Sequence, residues 1–188
     1  KLNLSNFAAT LSAGRPGSTT VAATMFAAHH AGIPVFATGG IGGVHRESQE
    51  SGDVSADLTA LSRIPVAVVC AGAKAILDLP RTVEMLETLG VPVFGFGTDE
   101  FPAFYRRESG LPVDHRFDTI EELAAAVAAH FAIGMGTGVL VANPIPESEQ
   151  MPLALYTRAL GEALAAARSE GVRGRTVTPF LLDRMRQV

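Results

Sequence analysis

The sequence predicts an α/β protein with a largely buried central sheet, covered by helices on both faces. Three observations carry this prediction. Short apolar runs rich in β-branched residues alternate with longer stretches of helical character. The runs are close to continuously apolar, which is the pattern of strands buried on both sides. Gly or Pro stands at most of the joints between them.

The strand signals follow in chain order. Residues 32–37 read as a turn and a short buried strand, and Ile64–Cys70 is a stronger strand with three valines. Gly90–Gly95 and Gly138–Ala142 are the third and fourth. Helices are expected over Thr20–Ala31, Ser55–Ser62 and Arg81–Leu89, the last between Pro80 and Gly90. Another covers Thr119–Ala132, with Asp118 as N-cap and two glutamates in its first turn. Pro152–Glu170 is long, Ala-rich and stopped by Gly171, and Val177–Val188 reads as a final helix. With no internal repeat and no linker, residues 1–188 are expected to form one catalytic α/β domain. The chain opens on Lys1 and ends within a helix, so it is expected to be cut at both ends.

Composition narrows the function. Apolar residues make up 47% of the 188 and charged residues 18%, a balance suited to a packed core. A net charge of -4 argues against a nucleic-acid surface, which needs clustered Lys and Arg. A small phosphorylated ligand needs only a few donors and stays open. Cys70 is the one cysteine, so no internal disulfide forms, as in a reducing cytoplasm. No apolar run reaches the length of a membrane-spanning helix, and no leader pattern opens the chain.

The basic residues are the most informative. Of the 15, only Lys1 and Lys74 are lysines and the rest are arginines. A primary amine loses its proton when desolvated and then attacks a carbonyl to form an imine; a guanidinium does not. Lys74 lies just past the Ile64–Cys70 strand, where open α/β sheets place their sites, among small and apolar neighbours. The plainer alternative is a loop lysine reaching to solvent.

Other segments suggest ligand contacts, each with a structural alternative. Gly39-Gly40-Ile41-Gly42-Gly43 follows the first strand and precedes His45-Arg46, so it either presents N–H groups to an anion or is a mobile turn. Asp53 and Asp57 stand at i and i+4, on one face if helical; they suit a hard divalent cation, or else Asp53 or Ser55 simply caps the next helix. Gly17–Val21 leads into the first long helix as a phosphate site or an ordinary cap. Thr98–Pro102 and Asn143–Pro146 are polar turns after strands, lining the same crevice or merely turning the chain. A structural zinc site is not expected, because no CxxC or HExxH motif is present.

Taken together, Thr19–Met25 (TTVAATM), Gly39–Arg46 (GGIGGVHR), Asp53–Leu58 (DVSADL), Ala71–Asp78 (AGAKAILD), Gly97–Tyr105 (GTDEFPAFY), Asn143–Pro146 (NPIP) and Thr178–Leu182 (TPFLL) resemble the pseudouridine-5'-phosphate glycosidase family, which includes the indigoidine synthase A proteins. The resemblance runs nearly end to end, in order and spacing. It implies a three-layer α/β/α fold, a homotrimer and a Mn²⁺-dependent lyase. The implied reaction is reversible cleavage of pseudouridine 5'-phosphate to uracil and ribose 5-phosphate through a lysine imine. By the same resemblance, Lys74 is the imine-forming lysine and Asp53 the metal-associated aspartate. Lys1, Val21, Ser55, Ala56 and Asp57 match substrate-binding positions, and Thr38 and His45 fall in the loop around the sugar or base.

Two departures stand out: Glu47–Gly52 differs from the family's commoner form, and Ala75 replaces a frequent serine. The family's proton-donating glutamate lies upstream of Lys1, and a substrate-binding asparagine lies beyond Val188, so the isolated chain is expected to be inactive. A pigment-pathway enzyme on the same scaffold and a phosphosugar-binding module are the competing readings.

Overall fold

A computed structural model of the chain describes residues 1–172 and 176–187. Its strands are β1 (Val35–Ala37), β2 (Ala67–Cys70), β3 (Val93–Phe96), β4 (His115–Phe117) and β5 (Val139–Ala142). They form one parallel sheet in the order β1-β2-β5-β3-β4. The helices are α1 (Phe7–Ser12), α2 (Val21–His30), α3 (Ser48–Ser51), α4 (Ala56–Leu61), α5 (Leu79–Thr88), α6 (Ile120–Ala132), α7 (Leu153–Ser169) and α8 (Val177–Arg186).

The central strands β2 and β5 show why they read as continuously apolar. Val68, Cys70, Leu140 and Ala142 face the main core, packed with residues of α2, α4, α5, α7 and α8. Ala67, Val139 and Val141 face the other way, with Phe94, against Leu123, Ala126, Val127 and Phe131 of α6. Successive side chains point to opposite faces, so a strand with helices on both sides is apolar at every position. The outcome is the expected three layers.

Local signals explain most helix boundaries. Thr20 caps α2 by accepting the Ala23 N–H, Ser55 caps α4 through Asp57 N–H, and Asp78 caps α5 with Pro80 just inside. Three expectations need correction. The N-cap of α6 is Thr119, whose hydroxyl accepts the Glu122 N–H, and not Asp118, which pairs with Arg116. The first strand is not buried: β1 lies at the sheet edge with Val35 and Ala37 exposed. The opposite edge strand, β4, carries no strand signal in the sequence, because His-Arg-Phe has no apolar run.

This topology places the C-terminal ends of β1, β2 and β5 side by side. The chain leaving β1 becomes the Gly-rich loop, and the chain leaving β2 becomes the Lys74 loop. Three hydrogen bonds lock the loops together, Ala71 N–H to Gly39 O (3.2 Å), Ile41 N–H to Gly72 O (3.1 Å) and Lys74 N–H to Ile41 O (3.1 Å). No helix among the described residues is long and apolar enough to cross a membrane.

Candidate active site

Lys74 reaches its position through a tight backbone approach. Gly72 has φ +83°, in the left-handed region, and pairs antiparallel with Ala103. A Cβ on Gly72 would overlap the Pro102 carbonyl. Gly72→Ala therefore meets both backbone strain and a clash, and is expected to cost about 2 kcal/mol or more. Urea unfolding tests this, and a variant as stable as the parent would show that the loop relaxes freely. Tyr156 of α7 braces the same loop, its hydroxyl lying 3.5 Å from Ala75 O.

The Lys74 side chain points into a cleft of about 600 Å³, a size suited to a small ligand. Burial lowers its amine pKa below the ordinary lysine value; Lys1 adds to this, while Asp57 and Cys70 oppose it. Lys74 Nζ makes no hydrogen bond or ion pair with the described residues. Cys70 is buried beneath, its thiol pushed up to about 12 by desolvation, which leaves it without nucleophilic character near neutral pH.

The residues that the family resemblance assigned to the site meet in this cleft: Lys1, Val21, Thr38, His45, Asp53, Ser55, Ala56 and Asp57 line it together with Lys74, whereas Arg46 lines a neighbouring cleft. Lys1 arrives because Leu2 bridges Thr19, with Leu2 N–H on Ser18 O (2.7 Å) and Thr20 N–H on Leu2 O (2.9 Å). That seats the terminal lysine near the hydroxyls of Thr19, Thr20 and Thr24.

Asp57 is buried, at 4% exposure. Its carboxylate accepts the Ala22 N–H at the start of α2 and the Gly42 N–H of the Gly-rich loop, both at 2.8 Å. Asp53 is elsewhere. It precedes α4, next to the antiparallel Val44–Val54 bridge, and its carboxylate sits 3.8 Å from His45 Nε2. The two aspartates therefore do not share a helix face, which corrects the i, i+4 expectation. Desolvation lowers the His45 pKa; Asp53 works against this, and Lys1 and Lys74 reinforce it.

The Gly-rich loop meets the expectation in part. The protein holds its Ile41 N–H through Gly72 O (3.1 Å) and its Gly42 N–H through Asp57, and just beyond it Thr82 Oγ1 takes the Val44 N–H (3.0 Å) and Asp53 O the His45 N–H (3.1 Å), but no acceptor among the described residues takes the Gly39, Gly40 or Gly43 N–H. Its glycines permit close approach to side chains, since a Cβ on Gly42 would stand 2.9 Å from Asp57 Oδ2 and collide with Ser55. At the N-terminus of α2, Asp57 takes the Ala22 N–H and Thr20 Oγ1 the Ala23 N–H, leaving the Val21 N–H without an acceptor among the described residues, so each segment keeps part of the free donor set of an anion cradle.

The two polar turns part company. Thr98–Pro102 is a structural turn, where Thr98 Oγ1 bonds Glu100 O and the Glu100 carboxylate accepts the Ser109 and Gly110 N–H groups. Asn143–Pro146 lines a second cleft of about 490 Å³, which shares Ala37, Thr38, Gly39 and Phe104 with the first. Phe104, not singled out from the sequence, forms part of the wall of both. It is the one non-glycine with left-handed φ (+66°) among the described residues, a placement that costs on the order of 1 kcal/mol.

Comparison with known proteins identifies the family. The chain is 57% identical over 185 residues to a pseudouridine-5'-phosphate glycosidase of Methylobacterium nodulans, covering 98% of this chain and 55% of the relative. It is 55% identical over 172 residues to the corresponding glycosidase of Clostridium botulinum, covering 92% and 56%. The chain thus spans little more than half the length of these curated relatives. Among solved structures, the prealnumycin C-glycosynthase AlnA in complex with ribulose 5-phosphate matches with TM-score 0.91 and 40% identity, over 99% of this chain and 61% of that one. An indigoidine synthase A-like protein from Thermotoga maritima matches with TM-score 0.87 and 36% identity, over 98% and 60%. The sequence pattern of indigoidine synthase A-like proteins matches residues 1–188, and the chain belongs to that family.

Proposed function

We propose that the protein carrying this chain is a pseudouridine-5'-phosphate glycosidase, a lyase that reversibly splits pseudouridine 5'-phosphate into uracil and ribose 5-phosphate. The observation that carries this reading is Lys74: a half-buried, unpaired amine with lowered pKa, in a cleft that also holds Lys1. The names of relatives at 52–57% identity support it.

A C–C glycosidic bond offers no heteroatom leaving group. As the ribose ring opens, the C1'–O4' bond breaks and its oxygen takes up a proton, while Lys74 Nζ gives up a proton and bonds to C1', forming a secondary amine that still carries the base. The C–C bond then breaks, its electron pair staying with the uracil ring, whose carbon takes up a proton, while the lone pair of Lys74 Nζ closes the C1'=N iminium. Water then hydrolyses the imine, freeing ribose 5-phosphate and the amine. Lys1 and the hydroxyls of Thr19 and Thr20 hold the phosphate, away from the reacting carbon. Val21, Ser55, Ala56 and Asp57 shape the sugar site, with Thr38 and His45 at its margins.

Asp53 is the residue that would hold Mn²⁺. Among the described residues no group of three or more His, Cys, Asp or Glu forms a cage. A lone, partly exposed carboxylate suits a hard cation that keeps most of its waters. Such a cation would supply fixed positive charge beside the substrate. We further propose a homotrimer working in the cytoplasm.

The test uses the full-length protein with Mn²⁺ and pseudouridine 5'-phosphate, following uracil release by chromatography. Release of uracil, and its consumption with ribose 5-phosphate in reverse, is expected. Phosphate-free pseudouridine should bind far more weakly. No uracil from the phosphorylated substrate would refute the reading. Activity only on a different aglycone would favour a C-glycosynthase role, the alternative raised by the likeness to AlnA.

A further inference from the structure

We propose that Phe104 is the specificity-determining wall for the aglycone, the flat surface against which the substrate's planar heterocycle rests. This inference rests on the glycosidase reading above.

The backbone at Phe104 is held in a form that ordinarily calls for glycine. Tyr105 N–H closes on Ala103 O (2.8 Å) across Phe104, whose φ of +66° makes this the rarer, strained kind of three-residue turn. Every other described residue with positive φ is glycine. Glycine at 104 would relieve the strain, so the benzyl side chain is what the position retains at that cost.

The surroundings are built to keep the ring in place. Phe104 N–H donates to Ala71 O (3.0 Å), Ala103 N–H donates to Arg106 O (2.9 Å), and Met151 N–H donates to Tyr105 O (2.8 Å). The ring packs edge-on to Tyr105, with centroids 4.7 Å apart and planes at 76°. Its other neighbour is the Gly-rich loop, where a Cβ on Gly40 would come within 2.6 Å of the Phe104 ring. Gly40 thus exists to admit this ring, and Gly72, behind it, to admit the 102–103 backbone.

The ring's chemistry selects its ligand. An aromatic face carries partial negative charge and disfavours a phosphate, whereas a flat uncharged heterocycle stacks on it. The cleft's basic and hydroxyl groups, Lys1, Thr19 and Thr20, come from a different part of the chain. A ligand with one anionic and one planar end therefore has two unlike surfaces to bind. Because Phe104 also bounds the second cleft beneath Asn143–Pro146, removing the ring would join the two spaces and leave the base without a backstop.

The experiment compares full-length wild type, Phe104→Gly and Phe104→Leu. Glycine suits the backbone and protects folding; leucine keeps apolar bulk without a flat face. Two readouts are taken: KM for uracil in the synthetic direction, and borohydride trapping of ribose 5-phosphate on Lys74, which needs no base. The expected result is a rise in uracil KM of about tenfold for Phe104→Gly, and less for Phe104→Leu, the scale of one lost stacking contact. Trapping should stay within about twofold of wild type, since that step needs no stacking. An unchanged uracil KM in Phe104→Gly overturns the proposal while leaving the glycosidase reading intact. Equal losses in both readouts also overturn it, assigning the ring to support of the lysine loop. Failure of wild type itself to trap ribose 5-phosphate would remove the underlying reading, and this proposal with it.

Discussion

Lys74→Arg is expected to lower turnover of pseudouridine 5'-phosphate by roughly a thousandfold or more, the scale seen when a covalent nucleophile is removed. Arginine keeps the positive charge and much of the length, so phosphate attraction and packing are largely preserved. What it loses is a deprotonatable amine. Ribose 5-phosphate with borohydride should label the wild-type protein at Lys74 and leave the variant unlabelled. Near-wild-type turnover by Lys74→Arg, or labelling at Lys1, would overturn the covalent assignment.

The lowered pKa adds a second, independent reading. Lys74 titrates below its ordinary value in the folded protein because burial penalises the ammonium. Between that lowered pKa and the unfolded value near 10.5, the unfolded chain binds more protons, so this lysine makes the fold less stable at neutral pH and the penalty fades as pH rises through the window. Lys74→Met should then unfold at higher urea than wild type at pH 7, with the gap closing by pH 10. Turnover should fall on the acid side as the amine becomes protonated. Stability of Lys74→Met below wild type at pH 7 would show that the ammonium finds favourable partners.

Much of this was legible in the sequence because the signals are local. Apolar runs marked β2, β3 and β5, and Ser55 and Gly171 marked helix ends at or next to where they fall. The scarcity of lysine drew attention to Lys74, and motif order gathered residues from 1 to 74 that the fold brings into one cleft. What failed was non-local. The Gly-rich loop has the composition of an anion cradle, but Asp57, 15 residues beyond Gly42, takes one of its donors, and Thr82, 38 residues beyond Val44, takes the N–H that follows the loop. Edge strand β4 lacks the double burial that makes a strand visible, and β1, visible as a strand, is exposed at Val35 and Ala37 because it has a neighbour on one side alone. Phe104 carries no turn residue to announce its left-handed backbone; its conformation is imposed by contacts with residues 39–40 and 71–72.

The same non-locality makes Asp57 the most consequential structural residue of the site. Its two oxygens join three segments that are far apart in sequence: α2 through Ala22 N–H, the Gly-rich loop through Gly42 N–H, and its own helix α4. At 4% exposure, water does not replace a lost acceptor. Asp57→Ala strands two buried N–H groups that now donate to a charge, and is expected to cost about 3 kcal/mol or more. Asp57→Asn keeps one acceptor and turns an NH₂ group toward the other donor, so its loss should be intermediate. Asp57 also raises the Lys74 pKa, against the effect of burial. Removing its charge in Asp57→Asn should lower that pKa further and move the acid limb of the pH–rate profile to lower pH, even as turnover falls from loosened loops. Urea unfolding and a pH series on the full-length protein measure both effects. An Asp57→Ala variant within about 0.5 kcal/mol of wild type would mean that the N–H groups find other acceptors. An acid limb shifted upward in Asp57→Asn would mean that the carboxylate does not act on the lysine through its charge.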